Sequence, residues 1–265
     1  MPMARIDYDE RTASAFKAVR EISRDGLSEW RGAVRRHLRP SPGMTLVDIG
    51  AGTGAFSAAF ADWFDARVLA VEPSAAMRSR IPRLPAVEAR EGDACSLPVP
   101  DEAADAAWLS LVIHHIPDLD AAAREIRRVL RPGAPVFVRQ GFPDRYEPRG
   151  PLPRDRIELV RWFPETARTA DTFPTLERTC AAFAAAGFVR VSVEQVRETY
   201  SSSLADLLDQ VDTLRHADTT MRNLTEDEFL RGKKRLRRAV REAGVTRNVE
   251  SRTNWLDLLV LRRAG

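Results

Sequence analysis

Between residues 44 and 140 the chain alternates short continuous apolar runs with stretches in which apolar positions recur at helical spacing. Met44 to Ile49 reads as a buried strand, Phe56 to Phe64 as a helix, and Arg67 to Val71 as a second strand ending at Glu72. A helical stretch after Pro73, a strand near Ala86 to Arg90, an apolar strand from Ala106 to Val112 and a helix from Leu119 to Leu130 continue the series. In that last helix Leu119, Ala123, Ile126, Val129 and Leu130 share one face, Asp118 or Asp120 can cap its start, and Pro132-Gly133 ends it. Ala134 to Gln140 supplies another strand. Strands and helices in alternation predict a parallel sheet covered on both faces.

The flanks read differently. Phe16, Val19, Ile22, Leu27 and Trp30 are spaced for one or two amphipathic helices, stopped by Pro40, Pro42 and Gly43. Gly141 to Pro174 is rich in Pro, Arg and aromatics without a period, as expected of a loop or lid. A helix from Leu176 to Ala186 leads through Gly187 to Phe188 to Val196, where Val189, Val191 and Val193 alternate with polar residues as in a strand. Two helices then look inserted. Leu204, Leu207, Leu208, Val211 and Leu214 form the stripe of one, Thr225 with Glu228 makes a capping box opening the other, and Gly244 ends it. Trp255 to Leu261 reads as a last strand. The expected organisation is an N-terminal helical cap (1–40), a core (41–141), a loop or lid insertion (142–174), a core helix and strand (175–198), inserted helices forming a substrate lid (199–250) and a last core strand (251–265).

Composition narrows the classes. A chain of 265 residues, 44% apolar and 30% charged with 2 cysteines, is one globular unit or one unit plus a lid, and neither disordered nor disulfide-stapled. Its longest apolar stretch, Ala106 to Ile113 with Ser110 inside it, falls far short of the roughly 20 residues that cross a bilayer. Met1 to Ser14 lacks the apolar run of a secretory leader, and Cys95 and Cys180 have no metal-ligand spacing, so a cytoplasmic protein with reduced thiols and no metal is expected. The 41 basic residues against 38 acidic ones leave a net charge of only +3, which argues against a nucleic-acid partner.

The densest chemistry lies in Val47-Asp48-Ile49-Gly50-Ala51-Gly52-Thr53-Gly54, at the end of the first strand and the start of a helix. Glycines there let the backbone fold closely around a ligand and offer its N–H groups, which implies a nucleotide-like ligand. Gly50, Gly52 and Ala55 also satisfy the G-x-G-x-x-G/A dinucleotide pattern, so the turn alone leaves two enzyme classes open. Its neighbours separate them. Asp48, two residues before the first glycine, suits an ammonium and would repel a pyrophosphate. Glu72, 22 residues after Gly50, suits ribose hydroxyls, and Asp93 in Gly92-Asp93-Ala94 can accept from an adenine amino group. Together they fit a ligand containing an amino acid, a ribose and an adenine.

On these residues the chain resembles the class I S-adenosylmethionine-dependent methyltransferases, and within them the small-molecule branch that includes the ubiquinone and menaquinone biosynthesis methyltransferases. The likeness covers about residues 44 to 141, carried by VDIGAGTG, VLAVEPSAAM, EGDACSLPVPDEAADAAWLSLVIHHI and AREIRRVLRPGAPVFV, with FPTLERTCAAFAAAGF similar to a later helix of the family. It implies an α/β Rossmann-like three-layer sandwich: a seven-stranded, mostly parallel sheet whose last strand is antiparallel, with N-terminal helices and an inserted helical lid. It also implies S-adenosylmethionine as cofactor and S-adenosylhomocysteine as product. Asp48, Gly50 and Gly52 would lie near the methionine part, Glu72 at the ribose, Asp93 and Ala94 at the adenine, and Leu109 or Ser110 beside the sulfonium; Ala51 and Pro73 are further candidate cofactor contacts, and Met77 a candidate at the adenine whose alternative is core packing. Arg20 stands where similar proteins reach the cofactor carboxylate from the N-terminal helix.

His114 and His115 follow the fourth strand at the carboxyl edge of the sheet, where open α/β sheets bind ligands, and are the candidate catalytic pair. An architectural role is the alternative. Leu109-Ser110-Leu111-Val112 lacks the Asn/Asp-Pro-Pro-aromatic motif that meets a flipped base. The reading is therefore transfer of a methyl group to an O, N or C nucleophile of a small molecule. Trp162, Phe163, Tyr146, Tyr200 and His216 are candidate pocket-lining residues. The basic stretch Arg231, Lys233, Lys234, Arg235, Arg237, Arg238, Arg241 keeps a tRNA or rRNA acceptor as an alternative, and the glycine coincidence keeps an NAD(P)-dependent oxidoreductase. A cofactor-binding module without activity is the non-enzymatic reading.

Overall fold

The computed structural model describes residues 9–10, 12–14, 25–145, 159–201, 204–242 and 251–265. In chain order these form α1 (Ser28–His37), β1 (Thr45–Ile49), α2 (Ala55–Phe64), β2 (Arg67–Val71), α3 (Ala75–Arg78), β3 (Val87–Arg90), β4 (Ala106–Ser110), α4 (Leu119–Val129), β5 (Pro135–Gln140), α5 (Ala167–Ala170), α6 (Leu176–Ala185), β6 (Phe188–Ser201), α7 (Leu204–Ala217), α8 (Thr219–Arg222), α9 (Glu226–Glu242) and β7 (Ser251–Arg263). Arg20 and Tyr146, the expected helix through Phe16, Val19 and Ile22, and the expected stop at Gly244 lie outside the described residues, as does the side chain of Tyr200.

One seven-stranded sheet has the order β3-β2-β1-β4-β5-β7-β6. Its first five strands are parallel, and β7 runs antiparallel to both β5 and β6. This is the expected Rossmann-like α/β sandwich. The strand order reverses between β1 and β4, which opens a crevice above their carboxyl ends. In register, Ile49 faces Leu109 across that boundary.

The two faces bury separate cores because side chains alternate along each strand. On one face Val47, Leu109, Val136 and Val138 pack under α4 and α6 with Ile126 and Phe183. On the other, Leu46, Trp108 and Phe137 meet Trp30 of α1 and Phe56 and Phe60 of α2. Those aromatics interlock, Phe56 and Trp108 with ring centroids 4.6 Å apart. The helices start where side chains satisfy their first N–H groups: Asp118 Oδ1 accepts from Ala121 N at 2.8 Å, and Thr175 Oγ1 from Arg178 N at 3.0 Å.

A third cluster belongs to the inserted helices, where Val211, Leu214, Met221, Phe229 and Leu236 surround Trp162 and Phe163. The expected capping box is present, Thr225 N donating to Glu228 Oε2 and Glu228 N to Thr225 Oγ1. Gly232 lies in mid-helix because a Cβ there would stand 2.1 Å from the Phe163 ring. Phe163 is therefore the central filler of the inserted helices' own core, which corrects its expected place in a pocket lining.

Three boundaries differ from the sequence reading. Strand β4 stops at Ser110, short of Val112, because Leu111 turns into the left-handed region at φ +52°. Strands β6 and β7 run well past Val196 and before Trp255, as an antiparallel pair in which polar residues continue the ladder. Among the described residues no helix is long and apolar enough to cross a membrane, and no cluster could hold a metal ion.

Candidate functional site

The turn after β1 uses three glycines in the left-handed region, Gly50 at φ +70°, Gly52 at +56° and Gly54 at +80°. Its N–H groups are not offered outward. Gly50 N and Ala51 N both donate to Val71 O, at 2.9 and 3.1 Å, and Gly54 N donates to Ala51 O. Gly52 N donates to Glu72 Oε2 at 2.9 Å. This corrects the expectation of a backbone presenting donors to its ligand. The need for glycine at 50 is steric as well as conformational: a Cβ would stand 2.4 Å from Val112 Cγ2, on the loop after β4. The glycine turn is thus the seat on which the neighbouring strand's loop rests.

Two buried carboxyls flank this turn. Asp48, 2% exposed near the end of β1, accepts from Ser57 Oγ at 2.5 Å. Burial pushes its pKa up to about 7, the Ser57 hydrogen bond opposing and the charge of Glu72 adding to the rise. Glu72, also buried, ties two loops together, since Oε2 holds Gly52 N and Oε1 holds Ser74 N at 2.9 Å. Burial raises its pKa, with the Ser74 and Gly52 N–H groups and Arg78 opposing. A turn that uses the N–H groups of Gly50, Ala51, Gly52 and Gly54 internally and whose walls are carboxyls suits ammonium and hydroxyl groups; a pyrophosphate would meet two carboxyls.

The remaining predicted residues surround the same edge. Met77 is buried in α3 and Ala94 is buried beyond β3. Asp93 is exposed, and its Oδ1 accepts from Cys95 N at 2.8 Å and Ser96 N at 3.1 Å, so the side chain shapes its own turn. Pro73 starts the loop that Arg78 clamps through Glu72 O and Pro73 O. Leu109 is fully buried and points into the core beneath α4 and α6; the next residue, Ser110, is half-buried on the opposite face.

His114 and His115 sit in a short 3-10 turn, Ile113–His115, with ring centroids 4.0 Å apart. His114 stacks on Phe173 at 4.1 Å and meets Gln140 Nε2 at 3.4 Å, while His115 Nε2 lies 3.4 Å from Thr219 Oγ1. The pair therefore joins the carboxyl edge of the sheet to the segment before α6 and to α8. His216 is half-buried in α7. Of the basic residues of α9, Lys233 pairs with Asp212, Arg235 donates to Trp162 O at 2.6 Å, and Arg231 and Arg235 face Glu165, while Arg231, Lys234, Arg237, Arg238 and Arg241 are exposed.

Sequence reading missed two charged residues here. Arg139 of β5 and Glu198 of β6 are 4% and 0% exposed, and Arg139 Nε donates to Glu198 Oε1 at 2.5 Å. Arg139 Nη1 donates to Ser110 Oγ at 2.9 Å, and the guanidinium lies 5.4 Å from the ring centroids of Trp30 and of Phe56. Only a charged residue inside an otherwise apolar strand, Arg139 after Pro135 to Val138, signalled it.

Comparison with known proteins agrees with this geometry. Residues 47–138 match the methyltransferase domain family. A ubiquinone/menaquinone biosynthesis C-methyltransferase of Caulobacter sp. (strain K31) is 33% identical over 138 residues, covering 47% of this chain and 55% of the relative. A 2-phytyl-1,4-naphtoquinone methyltransferase of Synechococcus elongatus is 28% identical over 185 residues, covering 61% and 78%. The chain spans about half the length of the first curated relatives it matches. Among solved structures, a methyltransferase from an antibiotic biosynthesis pathway of Anabaena variabilis shares the fold, with a TM-score of 0.67 at 23% identity, covering 87% of this chain and 95% of that one.

Proposed function

We propose, from a core that over residues 47–138 matches the methyltransferase domain family, that the protein transfers a methyl group from S-adenosylmethionine to an O, N or C nucleophile of a small molecule. The observation that carries this reading is the pair of buried carboxyls, Asp48 and Glu72, around a turn whose glycine N–H groups are bonded internally. That donor set fits a ligand with an ammonium and ribose hydroxyls.

In this reading Asp48, Gly50, Ala51 and Gly52 hold the methionine part, Glu72 and Pro73 the ribose, and Met77, Asp93 and Ala94 the adenine. Arg20 remains a candidate for the cofactor carboxylate. Ser110 lies beside the sulfonium, and His114 and His115 stand on the acceptor side, between the sheet edge and the inserted helices. The bound cofactor supplies a methyl group on a good leaving group. The chain's task is to align a nucleophile with it and to keep water out, which a closed lid over the carboxyl edge does. His114 or His115 is placed to take the proton that a hydroxyl or amine acceptor releases. The N-terminal cap (1–40), the 142–174 insertion and the inserted helices (199–250) would supply the acceptor's specificity.

Calorimetric titration with S-adenosylhomocysteine and, separately, with NADH tests the reading. Binding of the first alone is expected, weakened by Asp93→Ala. Binding of NADH alone would return the glycine turn to the dehydrogenase class.

A further inference from the structure

The Arg139–Glu198 pair is the buried ionic contact that the roles above leave unused. It lies on the face of the sheet where Leu46, Trp108 and Phe137 point, because Asp48, Ser110 and Arg139 each follow one of those residues by two positions. Arg139 is held on three sides: by Glu198, by Ser110 Oγ, and by the rings of Trp30 and Phe56. Its partner comes from the long strand β6, 59 residues away in sequence. Such a pair is no gain in stability over well-packed apolar residues, because desolvating two charges offsets their attraction. What the pair does establish is a cancelled charge next to Ser110.

That location gives the cancellation a consequence. On the methyltransferase reading, on which this inference rests, Ser110 neighbours the sulfonium, so the guanidinium stands one side chain from the place where the cofactor brings a positive charge. Alone, Arg139 would repel the cationic methyl donor and leave the neutral thioether product untouched, in surroundings too dry to screen the repulsion. We propose that Glu198 is the countercharge that makes this site tolerant of a sulfonium: by neutralising Arg139 it sets the site's preference between the cationic donor and its neutral product. Glu198 is thus a positioning and specificity residue that acts through Arg139.

The test is the ratio of affinities for S-adenosylmethionine and S-adenosylhomocysteine, measured by calorimetry on the full chain, which needs no acceptor. Glu198→Gln leaves Arg139 uncompensated and is expected to shift the ratio against S-adenosylmethionine by about tenfold or more. Arg139→Gln leaves Glu198 uncompensated and is expected to shift the ratio in the opposite direction. The double variant Arg139→Gln/Glu198→Gln should return to the wild-type ratio. Loss of a structural support weakens both ligands together and cannot change sign between the two variants, so either one that folds decides the matter. Equal loss of both ligands, or an unchanged ratio, overturns the proposal while leaving the methyltransferase reading intact. Wild-type protein that binds neither ligand overturns both.

Discussion

Burial holds the Asp48 carboxyl near pKa 7 in the ligand-free protein, so around neutral pH it stands between two charge states. Its folded pKa lies above the ordinary 3.8, so the folded state favours the proton. The contribution to stability is complete below about pH 4 and is lost as the pH rises towards 7. Asp48→Asn, which keeps an acceptor for Ser57 Oγ, is expected to raise the stability of the ligand-free protein at pH 8 by on the order of 2–4 kcal/mol and to flatten this pH dependence, as read by urea unfolding at pH 5 and 8. Gly50→Ala is expected to destabilise by roughly 2–4 kcal/mol, from a strained positive φ and the contact with Val112. Adding Val112→Ala should recover only the steric part, a split that the same unfolding curves would show. Asp48, Glu72 and the glycines were legible as one cluster because they fall at strand ends. The destination of the turn's N–H groups was not, because it depends on Val71 O of the neighbouring strand. Arg139 and Glu198 were invisible as a pair, since no local spacing links positions on β5 and β6, two strands that β7 separates in the sheet.

Elements with their own punctuation were read nearly to the residue. Helix α4 has its Asp118 cap and its apolar face, and the Thr225–Glu228 box opens α9. Strands β6 and β7 were read short because polar residues occupy their outer halves, and only the pairing of each with the other shows that the ladder continues. Phe163 was misplaced for a related reason: the signal was Gly232, a mid-helix glycine that makes sense only when a large ring is seated against it. Gly232→Ala is accordingly expected to destabilise the packing of α7 and α9 by about 1–3 kcal/mol, despite alanine's better helix propensity. Hydrogen exchange should show the loss of protection in residues 204–242, with affinity for S-adenosylhomocysteine retained. Unchanged protection would mean that Phe163 does not seat there.

At the level of the whole chain, a net charge of +3 favours a small acceptor over a polyanion, and Lys233 and Arg235 of the basic helix are already engaged with Asp212 and Glu165. Any binding to tRNA is expected to be weak and to fall steeply between 50 and 200 mM salt, as a fluorescence-anisotropy titration would show; tight binding at the higher salt would restore the nucleic-acid alternative. The fold class followed from the alternation of periods, whereas the acceptor pocket did not, because the segments around it carry no spacing-defined chemistry. On the proposed reading, Asp48 is the carboxylate that receives the cofactor's ammonium. The most direct test is the affinity for S-adenosylhomocysteine of the wild type and of Asp48→Asn, titrated calorimetrically from pH 5.5 to 8.5. Wild-type affinity should rise with pH through about 7 as Asp48 loses its proton, and Asp48→Asn should bind roughly 10- to 100-fold more weakly at pH 8, without that rise. Wild-type and variant curves that coincide would contradict the account.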